Sequence, residues 1–303
     1  DKNQSEIIGT ANFQNLFGKG NQEFYMKGSF DRITSDYEAL KIIMPRVLGK
    51  NLPSVLAKLG RVDLNGDVEL TQKYINANVY LLSKLGIVDG DLAIQNIDNI
   101  DNASYQGNIK LDNFDLGTLL SEKDLGKTTL DLDVDGKGFT QKLLNTSIEG
   151  TIKKFYYNGY NYQNVTVDGS MKMPYYKGYF NSNDPNLKMD FDGVIDLSNK
   201  ASNYDFKAQI DYADLYVLNF YRKDSLAIFK GNINFKAKGN SIDDLAGKLE
   251  IHDVSYQNSK DFYFFDDFEI NSTFDENNIR TIAINSPDII SGEVVGKYKV
   301  KEV

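Results

Sequence analysis

Val62-Asp-Leu-Asn-Gly-Asp-Val-Glu-Leu70 places apolar residues at 62, 64, 68 and 70 and glycine at 66, with Asp63, Asn65, Asp67 and Glu69 between them. Successive side chains of a pleated strand point to opposite faces, so this period of two predicts a strand with one oily and one wet face. A helix over the same residues would scatter the two sets around its axis.

On either side the same phrase returns in the same parity, with glycine repeatedly taking an apolar place. Examples are Phe24-x-Met26-x-Gly28-x-Phe30, Ile148-x-Gly150-x-Ile152, Val165-x-Val167-x-Gly169-x-Met171 and Met189-x-Phe191-x-Gly193-x-Ile195-x-Leu197. Glycine inside a strand marks a bend, a bulge or a close approach of another backbone. Repeated at matching places in neighbouring strands, it predicts a sheet that curls toward its apolar side.

The alternation continues almost to the end of the chain. Ile75, Ala77, Val79 and Leu81 form one strand; Leu92 with Ile94, Ile109 with Leu111, and Leu130, Leu132 and Val134 form others. Then come Phe206, Ala208 and Ile210; Ile233, Phe235 and Ala237; Leu249 with Ile251; and Phe268 with Ile270. Asn-Gly, Asp-Gly and Asp-Asn pairs supply turn chemistry, although several of these glycines lie inside the alternation. The predicted fold class is all-β: an elongated, strongly curved groove of mainly antiparallel strands. The groove is expected to be lined by Val62, Leu64, Val68, Leu70, Val79, Leu81, Leu92, Ile94, Ile109, Leu111, Leu130, Leu132, Val134, Phe206, Ile210, Ile233, Phe235, Leu249, Ile251, Phe268 and Ile270. Val165, Val167, Met189, Phe191, Ile195 and Leu197 belong to that lining.

One interrupted amphipathic helix breaks the pattern over residues 35–60. Ser35-x-x-Glu38 fits a capping box, followed by Leu40, Ile43, Met44, Val47 and Leu48 at helical spacing. Pro45 interrupts it, Gly49 stops that piece, and Pro53 opens a new turn carrying Val55, Leu56 and Leu59 up to Gly60. Lys41, Arg46, Lys50 and Lys58 make the insert basic. Its stripe is expected to cover the apolar face or an open end of the sheet; a lid over a ligand and a contact with lipid headgroups are the other readings.

The chain reads as one elongated unit over 1–303 containing an internal repeat, approximately 105–171 and 204–270. Asp115-Leu116, Lys123-Asp124, Gly138, Gly150 and Tyr162-Gln163-Asn164 return as Asp214-Leu215, Lys223-Asp224, Gly239, Gly247 and Tyr256-Gln257-Asn258. Repetition of this kind implies units stacked in an array.

Composition narrows the chemistry. A formal charge of −9 argues against a nucleic-acid partner, which would need a basic footprint. No run of 18 apolar residues is present to span a bilayer. A start at Asp1 without Met reads as an excerpt of a longer chain. With no Cys and a single His, thiol catalysis and a His/Cys zinc site within one chain are excluded. His252 falls on the wet parity of a strand, with no oriented nucleophile marked beside it. Asp131-x-Asp133-x-Asp135-Gly136 opens like a calcium loop, but its twelfth position is Lys142 where a bidentate Glu is required. Acidic residues are plentiful, yet their neighbours set none in an apolar pocket. No catalytic residue, metal or cofactor is therefore assigned, and the chain is not read as an enzyme.

The sequence resembles the AsmA-like family, and within it the TamB-type translocation and assembly proteins of Gram-negative bacteria. The resemblance rests on Leu52-Pro53 through Leu59-Gly60 with Val62-x-Leu64-x-Gly66; Phe114-Asp115-Leu116-Gly117-x-Leu119-Leu120; and Asp135-Gly136-x-Gly138-Phe139. It extends through Asn158-Gly159-Tyr160, Asn164-x-x-x-Asp168-Gly169, Asn183-Asp184-Pro185-Asn186-Leu187, and Gly239-Asn240 with Asp243-Asp244-Leu245-x-Gly247. It implies a long β-taco with hydrophobic residues on the concave side, a periplasmic location, and a parent protein anchored in the inner membrane and reaching the outer one. It implies phospholipid acyl chains as the ligand, and an Omp85-type outer-membrane barrel as a partner of parts outside this segment. The leading expectation is a lipid conduit between the membranes. The alternative is a periplasmic scaffold or chaperone for outer-membrane protein assembly, and a third reading is a sealed β-sandwich or solenoid serving as an adhesin.

Overall fold

The computed structural model describes residues 5–16, 23–43, 54–97, 99, 102–138, 144–172, 174–197 and 200–299. Among the described residues 17 strands form one open sheet, in which strands adjacent in sequence pair antiparallel. The chain divides into two compact units, 1–162 and 163–303. The boundary falls inside β9 (Tyr160–Lys172), where the alternation runs on without a linker.

In the first unit, β1 (Glu6–Gln14) and β2 (Tyr25–Ser35) are followed by α1 (Tyr37–Ile43) and a 3₁₀ turn (Ser54–Leu59). Then come β3 (Val62–Thr71), β4 (Tyr74–Ser83), β5 (Gly86–Gln95) and β6 (Ser104–Asp115). The short α2 (Leu116–Leu120) leads into β7 (Leu125–Lys137) and β8 (Asn145–Tyr157). Pairing brings same-face residues into rows across the strands. One row runs Gly9, Phe30, Gly66, Val79, Gly90, Ile109, Leu132, Gly150. Beside it lies Ile33, Leu64, Leu81, Val88, Leu111, Leu130, Ile152. At Gly66 in the first row glycine has a steric cause: with φ at 131°, a Cβ would strike the Asn78 carbonyl oxygen and sit 2.8 Å from Val79 Cα. Only a bare Cα lets the β4 backbone approach this closely.

The helical insert departs from its expected start. Ser35 is the last residue of β2, 1% exposed, with its hydroxyl 2.9 Å from the Ser5 hydroxyl. Asp36 caps α1 instead, accepting from Ala39 N–H at 2.9 Å. A carboxylate in the next position can cap because the serine is already committed to the sheet. Met44, Pro45, Arg46, Val47, Leu48, Gly49, Lys50, Leu52 and Pro53 lie outside the described residues, as do Phe139 and Lys142. Leu59 packs with Leu85, Leu111 and Phe114. Lys58 Nζ donates to the carbonyls of Thr118 (3.0 Å) and Leu119 (2.8 Å) and to the Ser121 hydroxyl, satisfying the C-terminal end of α2.

The second unit contains β10 (Tyr175–Asp184), β11 (Leu187–Asp196), β12 (Asn203–Asp214) and β13 (Ala227–Lys238). It continues with β14 (Ala246–Asn258), β15 (Phe262–Phe274), β16 (Arg280–Ser286) and β17 (Ile290–Gly296). One row runs Gly169, Gly178, Gly193, Phe206, Phe235, Leu249, Ile270, Ile284. The next runs Val167, Phe180, Phe191, Ala208, Ile233, Ile251, Phe268. The β6–β7 register shifts between Leu111 and Phe114, and the β12–β13 register shifts between Ile210 and Ala213, at corresponding places of the two repeats. Just after each shift an aspartate caps the connection: Asp115 accepts from Thr118 N–H (2.8 Å), and Asp214 from Val217 N–H (3.1 Å). Arg280, 4% exposed, pins the β13–β14 connection by donating to the carbonyls of Ile242 (2.9 Å) and Leu245 (3.0 Å).

Candidate functional site

The residues expected to line a groove lie on one face within each unit, some in the rows just described and others, such as Val68, Leu92 and Val134 or Val165, Met189 and Ile210, in parallel rows beside them. Val62, Leu70, Leu111, Leu132, Val165, Val167 and Phe191 are buried. The remainder, Leu64, Val68, Val79, Leu81, Leu92, Ile94, Ile109, Leu130 and Val134 in the first unit and Met189, Ile195, Phe206, Ile210, Ile233, Phe235, Leu249, Ile251, Phe268 and Ile270 in the second, are only half-buried. Leu197 lies past the end of β11 and is 45% exposed, so it adds nothing to the row.

Half-burial over so many large apolar side chains has a definite meaning. In a single pleated layer, neighbours shield one another laterally while the outward tips stay open; a second layer would close those tips. Among the described residues, buried apolar side chains gather into two groups: Phe24, Met26, Phe30 and Leu70, and Leu85, Leu111 and Phe114. The second group sits where Leu59 of the 3₁₀ turn packs down.

Several lining residues escaped the sequence reading because tyrosine counts as polar in an alternation. Tyr105 stands in the row Leu70, Ile75, Ile94, Tyr105, and Tyr176 and Tyr204 both flank Ile195. Burial pushes the Tyr105 hydroxyl up from its ordinary pKa, and burial followed by Asp168 and Asp192 does the same to Tyr176. Both shifts register the low polarity of the face they stand on. Parity alone would have found these tyrosines.

In the second unit the rings touch in sequence. Centroid separations are 6.2 Å for Tyr176–Phe191, 5.1 Å for Phe191–Phe206 and 5.5 Å for both Phe206–Phe235 and Tyr204–Phe235. Phe206 stands across from Gly193, where a Cβ would lie only 2.4 Å from the Asp205 carbonyl oxygen and from Phe206 Cα.

The other face is wet. A row there runs Ser29, Asp67, Asn78, Asp91, Asn108, Asp133, Glu149, so amides separate Asp67, Asp91 and Asp133, while Glu149 stands directly beside Asp133. Asn108 Nδ2 donates to both Asp131 and Asp133 at 3.0 Å, and Lys110 lies 3.5 Å from Asp131. Two of the aspartates that open like a calcium loop, Asp131 and Asp133, thus have protein partners along a strand. Among the described residues, no group of three or more His, Cys, Asp or Glu side chains converges to hold a metal. His252 is exposed, with Nδ1 2.6 Å from Asp267 Oδ1. No described helix is long and apolar enough to cross a membrane.

Comparison with protein-family models, with curated proteins and with solved structures returned no match.

Proposed function

We propose that the apolar face binds the acyl chains of phospholipids and serves as a conduit for them, as the resemblance to the AsmA-like and TamB-type proteins implies. The location proposed with it is the periplasm, between an inner-membrane anchor and the outer membrane. The supporting observation is the set of continuous, half-open apolar rows in each unit. A methylene removed from water is worth about 0.8 kcal/mol, so a chain of about 16 carbons gains on the order of 10 kcal/mol from such a surface. No headgroup-specific site is required. Neighbouring positions along the aliphatic rows offer similar contacts, which keeps sliding shallow in free energy.

The test is native mass spectrometry of protein purified without added detergent. Bound phospholipid is expected, and Leu132→Asp should reduce it severalfold while Asn65→Asp, on the wet face, leaves it unchanged. Lipid-free wild-type protein with an intact fold would overturn the reading.

A specific observation favours the scaffold reading as a second possibility. β1 is paired to β2 and β17 to β16, each strand carries one charged residue, and Ile7, Ile8, Ile290 and Val295 are 47–59% exposed. Apolar terminal strands are templates for another chain. Thr10→Pro and Val294→Pro should then abolish crosslinking to an unfolded outer-membrane protein without changing lipid occupancy.

A further inference from the structure

The two units do not present the same apolar surface. Over β3–β7, the rows through Val79, Leu81 and Leu92 are built from Val, Leu, Ile, Ala and Gly. Over β10–β13, five rings take over: Tyr176, Phe191, Phe206, Phe235 and Tyr204, each within 6.2 Å of the next by centroid. Interplanar angles of 35° to 65° turn both ring faces and ring edges toward whatever lies on them. Four of the five rings are half-buried, leaving part of each open.

From this difference we infer that the second unit is selective: its ring ladder prefers flat, stiff hydrocarbon, conjugated or fused-ring, over a flexible saturated chain. The inference rests on the acyl-chain reading above and adds a substrate preference to it. Two physical effects give the preference. Aromatic rings attract other π-systems through offset-stacked and edge-to-face contacts, a gain beyond the area buried, and mutually tilted rings provide both kinds of contact. A stiff ligand also has fewer rotors to freeze when it settles on a fixed surface.

The dimensions agree. Tyr176, Phe191, Phe206 and Phe235 stand on four consecutive strands, β10 to β13, so the ladder crosses three interstrand spacings, roughly 14 Å. That length accommodates a conjugated tetraene or a fused-ring system lying across the strands. Two such ring contacts together give an expected preference of roughly tenfold over a saturated chain of equal length. The aliphatic rows of the first unit supply no comparable contact. A ligand of this class would therefore dwell at the ladder while a saturated chain does not.

The experiment is a competition read by native mass spectrometry, with the full chain offered equal concentrations of cis-parinaric acid, a conjugated tetraene, and stearic acid. The two ligands differ in mass and are counted separately. Wild-type protein is expected to carry roughly ten parinarates for each stearate. Phe206→Leu/Phe235→Leu should bring the ratio close to one. Because the chain contains no tryptophan, tyrosine emission transferred to bound parinarate gives a second readout, expected to fall in the same variant. If the double variant fails to fold by circular dichroism, Tyr204→Leu alone is used, and a smaller decrease in the ratio is expected. Equal binding of the two acids to wild type overturns the preference and leaves the conduit reading standing. Binding of neither acid overturns both.

Discussion

Gly66 and Gly90 stand in the same cross-strand row with only Val79 between them, yet replacing each by alanine should have opposite consequences. At Gly66 the backbone lies at φ 131°, a conformation L-residues rarely adopt, and the new methyl would meet the Asn78 carbonyl oxygen and come 2.8 Å from Val79 Cα. Strain of this kind costs about 1–3 kcal/mol. Moving β4 away to admit the methyl weakens two or more ladder hydrogen bonds at about 1 kcal/mol each, for a total of about 3–5 kcal/mol. At Gly90 a Cβ meets only Leu92 Cδ1, at an ordinary 3.8 Å. There alanine should be neutral, or stabilising by about 0.4–1 kcal/mol through the unfolded chain. Urea titration followed by tyrosine emission and far-ultraviolet circular dichroism separates the two. With a slope near 2 kcal/mol per M, Gly66→Ala should lower the midpoint of the transition by about 2 M, while Gly90→Ala leaves it in place or raises it slightly. Midpoints for the two variants within about 0.5 M of each other would refute the claim that close backbone approach, and not merely a need for small residues on the oily face, places glycine at 66.

Other expectations follow from single contacts. Arg280→Lys removes the fork that serves the Ile242 and Leu245 carbonyls from a site 4% exposed, and should destabilise by about 3 kcal/mol; an unchanged urea midpoint would show that the β13–β14 connection needs no bolt. The Thr128 hydroxyl is buried without a hydrogen-bond partner, so Thr128→Val should stabilise by about 1 kcal/mol, and a loss would mean that the hydroxyl is serving an unseen partner. Hydrogen bonding from the Thr34 hydroxyl and then Arg32 holds Asp63 below its ordinary pKa, and the Tyr179 hydroxyl and Asn181 do the same for Asp190. Their folded pKa values lie below the unfolded ones, so the unfolded chain takes up more protons between the two. The stability they contribute is present above about pH 4 and is lost as pH falls through the folded values. Melting temperature should drop on acidification from pH 5 to pH 3, and Asp63→Asn should flatten part of that drop; a parallel curve for the variant would count against the assignment.

The strands and their oily sides were legible because alternation is written into local geometry: Val62, Leu64, Val68 and Leu70 share a side of β3 whatever surrounds them. The same logic located most of the candidate lining. It failed at β10, whose inward residues Tyr176, Gly178, Phe180 and Ser182 read as mixed polarity, and at Leu197, which lies one residue past the end of β11 and is largely exposed. It placed the α1 cap one residue early because nothing local reveals that the Ser35 hydroxyl meets Ser5, 30 residues away.

From the order of its residues alone, this protein was bound to be antiparallel β with one apolar and one solvated face, since a strand's two-residue period and the turn chemistry of Asn and Gly are short-range properties. Register was another matter. That Gly66 faces Val79, that Phe191, Phe206 and Phe235 become one ladder, and that Arg280 reaches back to Leu245 all depend on which strand ends up beside which, and at what offset. Those choices are settled by hydrogen bonds and close packing between distant segments, and the aromatic character of the second unit's surface exists only once they are made.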